Sequence, residues 1–212
     1  MDTVPSPATL HPKLEEPIRA ELFGIERLEQ HAESLAAAQA VTGNSRRGRL
    51  LAPRVLENGR VLAESYRTIA RAIREEKAIT PAAEWLVDNF YIVDEQLREI
   101  IDDLPPGYYR QLPKLASGHL QHYPRVFGVA WAFVAHTDSR FDPDMLRRFV
   151  AAYQRVQPLT IGELWAVAIS LRVVLVENLR RLAERIVHSR AARRSSSHSS
   201  TGRTLGSRSR SR

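Results

Sequence analysis

Three groups of residues have types and spacings that could do chemistry. Asp142-Pro143-Asp144 has the D-x-D form with which many glycosyltransferases hold a divalent metal on a sugar nucleotide. The two acids, however, stand where a helix begins, and carboxylates there satisfy free backbone N–H groups and complement the helix dipole. His119 and His122, with His136 and Asp138 further on, could ligate zinc, but they lack the H-E-x-x-H spacing of a helical metal site. Glu84, Asp88 and Glu95 could act as paired acid and base. Seven residues, about 10 Å of helix axis, separate the last two, and a solvated polar face accounts for them. No Walker loop, G-x-G-x-x-G, G-x-S-x-G or kinase signature occurs, and the chain has no cysteine, which excludes thiol nucleophiles, disulfides and iron–sulfur sites. The reading is therefore no catalytic, cofactor-binding or metal-binding residue within the chain. The remaining candidate is Pro105-Pro106-Gly107-Tyr108-Tyr109-Arg110-Gln111-Leu112-Pro113. Paired tyrosines beside a cation can anchor an interface or stack on sugars, and can equally cover the end of a bundle. Tyr108, Tyr109 and Arg110 are the candidate interface.

The elements that must position these residues are helical nearly throughout. Leu14, Ile18, Leu22, Ile25, Leu28, Ala32 and Leu35 recur at steps of three and four, predicting one helix that ends at Gly43-Asn44. A basic linker, Ser45-Arg46-Arg47-Gly48-Arg49, follows. Pro53 suits the first turn of a second helix with the stripe Leu56, Gly59, Leu62, Tyr66, Ile69 and Ile73, where Gly59 permits a close crossing. Thr80-Pro81 opens a third helix running to Leu104, and its broad apolar face predicts a central position. Pro105-Pro106-Gly107 stops it, and residues 108–123 read as an ordered connection. Pro124 and Asp142-Pro143 open two further helices. Thr160-Ile161-Gly162-Glu163 forms a capping box for the last one, whose stripe is Leu164, Ala168, Leu171, Leu175, Leu179, Leu182 and Ile186. No strand or hairpin signal is visible. The fold class is all-α, a bundle of about six helices with a disordered C-terminal tail, divided as a flexible N-terminus (1–11), a helical domain (12–187) and an Arg/Ser-rich tail (188–212).

The 212 residues are 43% apolar and 26% charged, a globular composition with formal net charge +7. Seven of the 31 Lys and Arg lie in residues 188–212, which contain no acid, leaving 24 to balance the 24 acids of the body. The excess charge thus marks an appendage, and nucleic acid is disfavoured as a partner of the body. The tail permits RNA binding through phosphates. Its abrupt change of composition after Ile186-Val187 also reads as an out-of-frame continuation. The apolar run from Leu164 to Val176 is broken by Arg172 and flanked by Glu163 and Glu177, too short to span a bilayer. No secretory signal opens the chain, so it reads as soluble and cytoplasmic.

Three segments resemble the N-terminal region of bacterial cyclic β-1,2-glucan synthases. They are TPAAEWLVDNFYIVDEQLREIIDDL with PPGYYRQLPKL (from residue 80), YPRVFGVAWAFVAHTDSRFD (123–142) and VQPLTIGELWAVAISLRVVLVENLRRLAERI (156–186). The resemblance covers about residues 53–187, more loosely 10–52, and not the tail. It implies a parent inner-membrane glycosyltransferase that builds β-1,2-glucan from UDP-glucose with a divalent metal, followed by a phosphorylase-like region. The family's transferase motifs, Q-x-x-R-W among them, lie beyond the matched stretch, and Asp142-Pro143-Asp144 does not carry over. The resemblance therefore implies a truncated helical lead-in on the cytoplasmic side of the inner membrane, non-catalytic alone. Its partners would be the remainder of the synthase and glucan. The alternatives are a stand-alone helical interaction or regulatory module using residues 105–113, and RNA binding through the tail.

Overall fold

The structure, a computed structural model, describes residues 14–42 and 48–204, with side chains to 192. Eight helices and one two-residue strand pair make up the described residues. The all-α expectation holds. The count exceeds six because two segments expected to be continuous or irregular are divided.

The chain enters as an extended strap, not as the start of a helix. Only Ile25–Ala38 is helical (α1), so Leu14, Ile18 and Leu22 of the predicted stripe lie outside it. Pro17 lacks a backbone N–H and Gly24 is the N-cap, so the helical pattern has no helical backbone to carry it. The strap's own N–H groups find partners elsewhere. Ile18 donates to Asn178 Oδ1 at 2.7 Å, Ala20 to the Ala135 carbonyl at 2.8 Å and Phe23 to the His136 carbonyl at 3.2 Å. After α1, Val41–Thr42 (β1) pairs antiparallel with Lys114–Leu115 (β2), a ladder the sequence did not signal. The predicted stop at Gly43-Asn44 and most of the basic linker lie outside the described residues, as do residues 1–13.

Leu51–Arg74 forms α2. Its buried face is Leu51, Val55, Asn58, Leu62, Ser65 and Ile69, rotated from the predicted stripe, and Leu56 is 62% exposed. Gly59 does admit a close neighbour: a Cβ there would lie 3.2 Å from Leu97 Cδ1. The predicted third helix is two, Pro81–Asp88 (α3) and Phe90–Asp102 (α4). Thr80 caps α3, its hydroxyl accepting from the Ala83 N–H. The break falls at Asn89, whose side-chain amide donates to the Trp85 carbonyl at 2.8 Å and competes with the helical ladder. Nor is this segment central. Of α4 only Val93 and Ile100 are buried, while Trp85, Tyr91 and Ile92 face outward.

Pro106, expected as part of a stop, occupies the first turn of a short helix, Pro106–Gln111 (α5), as a residue without an N–H can. The connection after it is ordered, burying Leu112, Leu115, Leu120 and Tyr123. Arg125–Thr137 (α6) is buried on nearly every side, as a helix apolar all round must be. Pro143–Val156 (α7) starts at Asp142, whose carboxylate accepts from the Asp144 and Met145 N–H groups. It packs along α1. Ile161–Thr204 (α8) opens on the predicted capping box and packs on both α2 and α6. Its predicted stripe is only partly the buried one, since Leu164 and Leu182 are exposed while Val173, Val174 and Val176 are buried. Neighbours on several sides make α8 and α6 the centre of the bundle. Residues 188–204 of the Arg/Ser-rich segment continue α8, and 205–212 lie outside the described residues.

The strap carries an acid-sensitive contact. His136 stacks on Phe23 at 4.0 Å, and His31 lies 4.4 Å from His136. Burial, then the neighbouring His136, pushes the His31 pKa below its ordinary 6.5. The unfolded imidazole therefore takes up a proton first, so stability present above pH 6.5 is lost as pH falls toward the depressed folded value. Hydrogen exchange at the Ala20 and Phe23 amides is expected to quicken between pH 7.5 and 5.5 relative to core amides, and His31→Leu should flatten that dependence. Equal pH response in both proteins would refute the assignment.

Candidate functional site

Two polar clusters interrupt this apolar bundle. The first closes the end where α5 and the start of α8 meet. Glu163, fully buried, accepts from Arg125 Nε at 2.8 Å and Nη2 at 2.6 Å, and its second oxygen also accepts from the Thr160 N–H. Arg125 completes its set on the Pro158 carbonyl at 3.1 Å. Burial alone would lower the Arg125 pKa, but Glu163 outweighs it and raises it overall. Beside them Lys114, 1% exposed, donates to the Tyr109 and Leu112 carbonyls, satisfying the end of α5. Burial lowers its pKa to about 8, which leaves the ammonium charged at neutral pH.

The candidate interface residues sit on this end and divide by exposure. Tyr109 is buried, and burial raises its phenol pKa. Tyr108 is half-buried, edge-on to Tyr109 at 5.2 Å, with its hydroxyl donating to the Gly162 carbonyl. Arg110 is exposed. Next to Gly162 the first turns of α8 present Ile161 (70% exposed) and Trp165 (77%) to solvent.

The second cluster lines an open groove of about 760 Å³ between α2 and α8. Glu177, 1% exposed, accepts from Arg54 on one side and from Arg181 at 2.7 Å on the other. Burial alone would raise the Glu177 pKa, but the two guanidinium groups hold it below the ordinary carboxylate value. Arg54 also donates to the Tyr123 hydroxyl at 3.1 Å and lies 5.1 Å from that ring, while Arg181 lies 5.0 Å from Trp131. Arg180 bridges Glu15 of the strap and Glu184. Sequence reasoning found the Thr160–Glu163 box but missed the long-range pairs of both clusters, because Arg125–Glu163, Arg54–Glu177 and Glu15–Arg180 join residues 38 to 165 positions apart. The available signal was Glu163 and Glu177 flanking the apolar run from Leu164 to Val176.

The other sequence candidates are not brought together. Asp142 is committed to capping α7 and Asp144 pairs with Arg147 at 3.0 Å, so this donor set does not fit a divalent metal. His119 packs against Trp131, whereas Nδ1 of His136 lies 2.7 Å from the Glu21 carbonyl oxygen. Among the described residues no group of three or more His, Asp or Glu is arranged to hold a metal. Glu84, Asp88 and Glu95 are exposed. No helix of the described residues is long and apolar enough to cross a membrane.

Comparison with known proteins finds a relative of this bundle. The chain is 44% identical over 139 residues, 65% of its length, to the protein NdvB of Rhizobium meliloti (strain 1021). That relative is a cyclic beta-(1,2)-glucan synthase. The resemblance read from the sequence is thereby borne out. The chain spans 5% of the length of NdvB, so it corresponds to a small segment of the synthase. No family model matches the chain.

Proposed function

We propose that this chain is the helical lead-in segment of a cyclic β-1,2-glucan synthase, non-catalytic alone, acting as a platform on which the transferase part docks. The observation that carries the reading is 44% identity confined to a segment amounting to 5% of NdvB. At that identity over 139 residues, the bundle and its buried polar clusters are expected in the synthase as well. Sugar-nucleotide and divalent-metal chemistry belongs, in this reading, to the remainder of the parent, on the cytoplasmic side of the inner membrane.

The docking face is the α5–α8 corner, where Ile161 and Trp165 project one helical turn apart and the Tyr108 hydroxyl meets the Gly162 carbonyl between them. An exposed tryptophan with an exposed aliphatic side chain one turn away has the composition of an interface centre. Exchanging the matching 139 residues of NdvB for those of this chain is expected to retain cyclic glucan synthesis, whereas deleting them abolishes it. Trp165→Ala with Ile161→Ser in the exchanged segment should lower synthesis at least about tenfold without changing the melting temperature of the isolated chain. The isolated chain should transfer no glucose from UDP-glucose. Full synthesis by the deletion protein, or by the doubly substituted one, would overturn the platform reading.

A further inference from the structure

α3 and α4 carry more apolar surface than the bundle uses. Ala83, Leu86, Val93 and Ile100 are buried on the side that packs against α2 and α8. On the opposite side Trp85 (55% exposed), Tyr91 (69%) and Ile92 face solvent, and among the described residues nothing covers them. Acidic side chains share that side. Asp88 follows Trp85 by three residues on α3, and Glu95 and Asp102 follow Ile92 at steps of three and seven on α4, all of them exposed. Single exposed apolar residues are ordinary, but two aromatics and an isoleucine on one helical flank have the composition of an interface.

Charge determines what kind of partner fits. Residues 81–103 hold seven Asp and Glu against one Arg. Asp94 pairs with Arg98, and Glu99 and Asp103 with Arg172. Glu84, Asp88, Glu95 and Asp102 make no ion pair among the described residues. Such a flank repels phosphates and anionic lipid and attracts a cation. Arginine suits it better than lysine, because a guanidinium stacks on tryptophan and tyrosine rings and forks onto carboxylates. The chain itself carries a segment of this chemistry: residues 188–212 contain seven Arg and no acid. Lengths also match. Residues 188–204 continue α8 for about 25 Å, and the flank from Glu84 to Asp102 is about 27 Å long.

Within one chain the two do not meet. The end of α4 lies beside Arg172, and residue 188 begins about 24 Å further along α8, which then continues as helix. The acidic flank is also the side of α3 and α4 turned from α8. We infer that the outward side of α3 and α4 docks the arginine-rich continuation of α8 from a second copy of this chain. Each copy gives one such segment and receives one, so the exchange closes as a twofold dimer. Ion pairs at exposed carboxylates contribute little singly and are screened by salt, so the dimer depends on several of them together with the aromatic contacts.

Sedimentation equilibrium of the full chain tests this, in about 50 mM and about 500 mM salt. A dimer is expected at the lower salt and a shift toward monomer at the higher. Two double variants reverse the charge of one surface each: Asp88→Lys with Glu95→Lys on the flank, and Arg193→Glu with Arg194→Glu on the continuation of α8. Each alone should weaken self-association at least about tenfold, since like charges are then juxtaposed. An equimolar mixture of the two should form the dimer again, because each protein then offers the charge that the other has reversed. A variant that had merely lost its fold could not be rescued in this way. Trp85→Ser should also weaken the dimer, by removing a ring on which a guanidinium stacks. A chain that stays monomeric at every concentration, whether its arginines rest on their own body or the flank takes another protein, would overturn the inference. So would a dimer indifferent to both double variants, or a mixture that associates no more tightly than its components.

Discussion

Replacing Glu163 by alanine is expected to destabilise the protein by about 3–5 kcal/mol, because it strands the Arg125 guanidinium in a site only 4% exposed. Two losses combine. The carboxylate accepts from Nε and Nη2 of Arg125, and it also closes the capping box with Thr160 at the start of α8. The cap alone contributes about 1 kcal/mol, which Thr160→Ala measures separately. The larger part comes from the uncompensated buried charge, and it can be isolated. Arg125→Met combined with Glu163→Leu removes both charges, and should recover much of the loss because a buried pair exchanged for apolar side chains is often neutral or stabilising. Urea unfolding of the four proteins checks the ordering. A Glu163→Ala loss no larger than that of Thr160→Ala would mean that Arg125 finds water or another acceptor when its partner is gone.

Phe149→Ala is expected to cost about 3–5 kcal/mol, and Leu56→Ala within about 0.5 kcal/mol of nothing. Phe149 is fully buried on α7, 5.6 Å from Phe133 of α6, with α1 packed along the same helix. Truncating it opens a cavity where three helices meet, and close-packed neighbours relax only partly into such a space. Leu56 belongs by periodicity to the predicted core stripe of α2 but is 62% exposed, so its removal takes little apolar area back into water. Thermal unfolding distinguishes the two directly. Equal losses would mean that Leu56, like Phe149, packs in the core.

These pairs also show where sequence reasoning succeeds. Starts of helices were legible because they are local chemistry: Thr80 accepts from Ala83, Asp142 from Asp144 and Met145, and Thr160 with Glu163 closes a box of four residues. The all-α class was legible for the same reason, since a period of three to four needs only the neighbouring turns to be seen. Rotation about the helix axis was not. A broad apolar face at residues 85–104 predicts a central element, yet Trp85, Tyr91 and Ile92 look outward while α8, which carries two buried glutamates, lies in the middle. Periodicity counts apolar residues and does not say which neighbours cover them. Position inside the bundle depends on how many other helices reach each face.

Tyr108, Tyr109 and Arg110 illustrate the same division. Their adjacency was plain in the chain, but only packing separates Tyr109 in the core from Tyr108 bonded to Gly162 and Arg110 in solvent. The strap is a sharper instance: Leu14, Ile18 and Leu22 keep a helical spacing, and Pro17 and Gly24 end the helix short of them.

From the chain alone follow the helical class, the capped helix starts, a body of balanced charge and the likeness to a glucan synthase segment. Each is written in neighbouring residues or in the wording of short stretches. The tertiary structure alone decides which carboxylates are buried, and that Arg125 meets Glu163 and Arg54 meets Glu177. Those contacts join residues 38 to 123 positions apart, and no local pattern encodes a distance that only the folded bundle makes short.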